Sequence, residues 1–76
     1  MSVQDEALTV MVQNALAADR RISGHPIVVR VAQGEVFLKG VVDTHEQRDL
    51  AVLVAKGTAG VRHVVADELR TREADQ

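Results

Sequence analysis

Pro26-Ile27-Val28-Val29-Arg30-Val31-Ala32-Gln33-Gly34-Glu35-Val36-Phe37-Leu38-Lys39-Gly40-Val41-Val42 is the stretch on which the fold turns. Its halves, Pro26 to Ala32 and Glu35 to Val42, are rich in β-branched residues and flank Gln33-Gly34. A glycine there is free to take a positive φ, so the pattern predicts two strands joined by a tight hairpin. Side chains alternate between the faces of a strand. Ile27, Val29 and Val31 therefore form one inward set, and Val36, Leu38, Gly40 and Val42 another. Val28, Arg30, Ala32, Phe37, Lys39 and Val41 fall on the opposite, mixed face.

Upstream, Leu8, Met11/Val12 and Ala15/Leu16 recur at spacings of three and four, which predicts an amphipathic helix over about residues 3–19. Ser2 with Asp5 resembles a capping box, and Gly24 and Pro26 close the segment. Ile22 is expected to fold back onto the core. Downstream, Asp43 or Thr44 caps a second helix, with Gln47 completing a Thr44-x-x-Gln47 box. Leu50/Ala51, Val54/Ala55 and Thr58 form its buried stripe, and Gly57 is its C-cap glycine. Gly60 and Val61 lead into a last strand near Val61–Thr71, in which Val65 and Leu69 share parity and Val64 breaks it. The order helix, strand, strand, helix, strand predicts an α/β two-layer (α+β) fold, αββαβ, with both helices on one face of a three-stranded mixed sheet. The chain reads as one domain over residues 1–76, with its core at about 3–71 and a frayed tail at 72–76.

Composition narrows the function. Hydrophobic residues make up 46% of the 76, enough for a core, yet Phe37 is the only aromatic. That removes the stacking platforms on which single-stranded nucleic acids are held. A net charge of −2 gives no positive field to steer the chain to phosphates. The absence of cysteine excludes disulfides, thiolate nucleophiles and cysteine-rich zinc sites. Met1 to Glu6 lacks the basic start and apolar run of a secretory signal. The expected compartment is therefore the cytoplasm as the sequence stands, or the periplasm if a leader has been removed.

No catalytic constellation can be assembled. His25, His45 and His63 show neither HxxH nor HxxxH spacing, and read as surface histidines rather than metal ligands or acid–base groups. The acidic pairs Asp5/Glu6, Asp43/Glu46 and Asp67/Glu68 read as caps, helix-start charges and solvated strand positions. No GxGxxG or P-loop spacing occurs. Gly57-Thr58-Ala59-Gly60 spells a GxxG loop, but a strand follows it where the nucleic-acid-binding module needs a helix. Arg20-Arg21 with Arg48 or Lys56 is a candidate local anion patch that reads better as solvated charge. The most informative exposed feature is the outer sheet face, where Val28, Phe37 and Val41 lie among Arg30 and Lys39.

The motif series resembles the BON domain family, named for bacterial OsmY and nodulation proteins. It runs through Leu8, Val12, Leu16 and Asp19, then Ile27-x-Val29-x-Val31-x-x-Gly34-x-Val36-x-Leu38-x-Gly40-x-Val42. It ends with Ala51, Ala55, Gly60-Val61-x-x-Val64 and Leu69. Leu69 lies one residue farther from Gly60 than the family pattern, an excess that a β-bulge would absorb. The resemblance implies an αββαβ fold with a mixed sheet. It also implies phospholipid binding or membrane attachment, usually in the bacterial envelope and in osmotic-stress, secretin-like, haemolysin-like, transport-channel or CBS-domain proteins.

The resulting expectation is a non-catalytic binding module, not an enzyme, with no cofactor, metal, nucleic acid or small-molecule substrate. Its first role is phospholipid or membrane association, or an envelope and osmotic-stress accessory function. The alternative is a protein-interaction or homo-oligomerisation module, such as a regulatory domain of a larger protein. It would work through the outer sheet face at Val28, Arg30, Phe37, Lys39 and Val41.

Overall fold

The computed structural model describes residues 3–73. Helix α1 spans Val3–Ala18, strands β1 and β2 span Ile27–Ala32 and Glu35–Val42, helix α2 spans His45–Lys56, and strand β3 spans His63–Thr71. Ser2, expected as the first N-cap, lies outside the described residues.

α1 buries Leu8, Val12 and Leu16, one turn apart along a single stripe, and carries Asp5 and Glu6 in its first turn, where the helix dipole favours negative charge. The chain leaves the helix through a turn in which the Ile22 amide donates to the Asp19 carbonyl at 3.1 Å. This drives Ile22 into the core at 1% exposure, as the sequence suggested. α2 has the expected capping box: the Gln47 amide donates to Thr44 Oγ1 at 3.1 Å, and the Thr44 amide to Gln47 Oε1 at 3.1 Å. Gln47 Nε2 also donates to the Arg21 carbonyl at 3.2 Å, tying the α1–β1 turn to the start of α2. Gly57 is the C-cap, but with a right-handed φ of −74°; the left-handed turn falls later, at Gly60, φ 96°.

The sheet has the order β1-β2-β3, with β1 antiparallel and β3 parallel to the central β2. The hairpin register pairs Ala32 with Glu35 across Gln33-Gly34, whose φ values of 54° and 80° are those of a type I′ turn. Both helices cover one face, α1 over β1 and α2 over β3. Between the layers lies an aliphatic core that includes Val29, Val31, Val36, Leu38, Val42, Ala51, Ala55 and Leu69. Each fully buried Val or Leu side chain there contributes about 1.5–3 kcal/mol of transfer free energy.

β3 carries the anticipated bulge. Phe37 pairs with Val65 and Lys39 with Glu68, so Leu38 is opposed by an extra residue on β3. Val64 and Ala66 pack against the core before the bulge, and Leu69 does so after it. Val65 lies on the other face beside Phe37. Sequence parity put Val65 and Leu69 together; the inserted residue inverts the alternation between them and corrects that assignment. Beyond β3, the Arg72 amide donates to the Val42 carbonyl at 2.9 Å and the Glu73 amide to the Asp43 carbonyl at 3.0 Å. The parallel ladder thus continues into residues expected to fray, while 74–76 lie outside the described residues.

Candidate functional site

The outer sheet face assembles as the alternation required. Reading across the strands, Val28, Lys39 and Glu68 form one row, and Arg30, Phe37 and Val65 the next. Val28 and Phe37 are 54% and 38% exposed, Arg30 and Lys39 are exposed, and Val41 is half-buried. Lys39 Nζ lies 3.9 Å from Glu68 Oε2. Because the bulge supplies two residues where β2 has one, Asp67 and Glu68 both border the shallow depression around Phe37, Arg30 and Val65. The named residues therefore form one patch, and the structure adds Val65 and Asp67 to it.

A second apolar surface was not singled out by the sequence. Val3, Ala7, Val10 and Met11 all face solvent on α1, with Met11 at the border of the strip beside Leu8. Val10 is 54% and Met11 45% exposed, and no charged residue occurs from Ala7 to Ala18. Met11 and Val12 are adjacent and both apolar; only Val12 reaches the core. On α2, Leu53 likewise remains 66% exposed.

Of the remaining candidates, Asp5, Asp19, Arg21, His25, Asp43 and His45 make structural contacts. Asp5 is buried, and its carboxylate accepts from the Gln33 amide at 3.0 Å and the Gly34 amide at 3.3 Å. It thereby fastens the first turn of α1 to the hairpin and satisfies the two amides of a turn whose non-glycine residue has a positive φ. Glu6 points to solvent. Asp19 receives Arg21 through its backbone amide at 3.0 Å and through Nε and Nη2 at 3.0 and 2.7 Å. These bonds hold the Asp19 carboxyl below its ordinary range, with side-chain bonding as the main cause. They also remove Arg21 from the supposed anion patch. At the start of α2, Glu73 Oε1 accepts from the His45 amide at 3.2 Å and sits 3.2 Å from His45 Nδ1. His25 Nε2 is 3.9 Å from Asp43 Oδ2, and Arg72 Nη1 3.6 Å from Asp43 Oδ1. Among the described residues, no three His, Asp or Glu side chains converge as metal ligands. No helix among them is long and apolar enough to cross a membrane.

The BON domain family model matches residues 4–73, which is nearly the entire chain. The chain belongs to the BON domain family. This BON domain is also 38% identical over 74 residues to osmotically-inducible protein Y of Escherichia coli strain K12. That match covers 97% of the chain and 36% of the relative, so the chain spans about a third of that protein's length.

Proposed function

We propose that this BON domain is a non-catalytic module that associates with phospholipid surfaces as an accessory of the osmotic-stress response in the bacterial envelope. Family membership and similarity to an osmotically inducible protein support the biological setting. The observation that carries the membrane reading is the solvent side of α1, where Val3, Ala7, Val10 and Met11 form an apolar strip without a charge from Ala7 to Ala18. A helix that lies in the interfacial plane binds through such a strip, its free energy scaling with the apolar area buried. α1 carries no basic residue, so apolar insertion outweighs headgroup attraction and binding depends little on salt.

Flotation with phosphatidylglycerol-containing vesicles tests this. The wild type is expected to float at low and at moderate ionic strength. Met11→Glu should weaken binding by about tenfold, because a half-exposed Met then loses its insertion and a charge must be kept in water, roughly 1.4 kcal/mol. Failure to float at low salt, or flotation unaffected by Met11→Glu, overturns the reading.

A further inference from the structure

The outer sheet face is polarised across its strands. Arg30 stands on β1 and Asp67 on β3, with Phe37 of β2 between them and Val65 beside it on β3, while the exposed Arg70 lies farther along β3 in the row of Val41. Neither the Arg30 nor the Asp67 side chain has a hydrogen-bond or ion-pair partner among the described residues. Lys39, by contrast, stands 3.9 Å from Glu68 Oε2 in an exposed ion pair.

We propose that this face binds a second copy of the chain, the two sheets packing face to face about a two-fold axis parallel to the strands. Such an axis lays each β1 over the other copy's β3 and leaves β2 over β2. Arg30 of one copy then meets Asp67 of the other, twice by symmetry, and the two Phe37 rings meet near the axis. The contact is isologous, so it closes at a dimer and leaves no complementary patch for further growth. The size agrees with a weak, reversible association. Three strands of six to nine residues, about 4.8 Å apart, give two copies roughly 750 Å² of flat area and on the order of 1,000 Å² with side-chain relief, about the least area of a specific interface. The exposed side of α1 offers no comparable guide, since it carries no charge from Ala7 to Ala18 to fix orientation. The dimer keeps both α1 helices on its outer surfaces, so it is compatible with the lipid role but independent of it.

Sedimentation of the full chain without lipid, from about 10 μM to about 1 mM at low salt, tests the proposal over the range such an interface reaches. A reversible monomer–dimer equilibrium that weakens with salt is expected. Phe37→Glu should raise the dissociation constant by about tenfold or more. Arg30→Glu and Asp67→Arg should each weaken the dimer, and the double variant Arg30→Glu/Asp67→Arg should regain most of the loss. Both positions are exposed, so the charge exchange reads the interface without threatening the fold. A chain that stays monomeric throughout, a dimer indifferent to Phe37→Glu, one abolished by Met11→Glu instead, or a double variant no tighter than the singles would each overturn it.

Discussion

Asp5 is the residue on which two local structures depend. Asp5 is 7% exposed, and its carboxylate accepts from the amides of both residues of the hairpin turn. Asp5→Ala leaves those amides without their acceptor, which should lower stability in urea unfolding by about 2–3 kcal/mol. Asp5→Asn retains an acceptor and should lose less. Gly40 is constrained differently: its φ is 147°, and a Cβ there would overlap the Pro26 carbonyl oxygen. Gly40→Ala should therefore cost about 3 kcal/mol or more, read in the same way. Asp19 makes a pH prediction. Its folded-state pKa lies below the unfolded one, so its contribution is present above the usual carboxylate range and is lost as pH falls through the folded pKa. The stability difference between wild type and Asp19→Asn should be constant near neutrality and shrink below about pH 4. The sequence alone did not show the role of Asp5, because its partners lie 28 and 29 residues away.

Among the elements, β3 shows most clearly what sequence pattern can and cannot settle. The extra residue before Leu69 announced a bulge, but not its position, and the position decides which side chains face outward. With Ala66 and Asp67 together opposite Leu38, deleting Asp67 restores plain alternation and leaves Val64, Ala66 and Leu69 inward. Deleting Ala66 instead turns Asp67 toward the core. Thermal unfolding should show the first deletion nearly neutral and the second destabilised by several kcal/mol, roughly 3–5, through burial of an unpaired carboxylate. The hairpin and the second helix were legible because their signals are local: Gln33-Gly34 at the turn, and Thr44 and Gln47 four positions from end to end. The outward strip of α1 was not, since Val10, Met11 and Val12 are consecutive apolar residues and only the packing of Val12 shows which way the helix turns.

At the scale of the molecule, the two layers divide the surface into two apolar regions with different chemistry. The sheet side intersperses Phe37, Val28 and Val65 with charges of both signs, which suits a partner of fixed geometry. The α1 side exposes Val3, Ala7, Val10 and Met11 beside the neutral Asn14 and is free of charge from Ala7 to Ala18, which suits a fluid surface that imposes no register. The chain contains no cysteine, so one introduced thiol gives a unique label. The most direct test of the proposed membrane role compares Met11→Cys and Phe37→Cys, each carrying an environment-sensitive fluorophore, on addition of phosphatidylglycerol-containing vesicles. A blue shift confined to the label at position 11 is the expected result. A shift at position 37 alone, or at neither position, would contradict the assignment of α1 as the face that meets lipid.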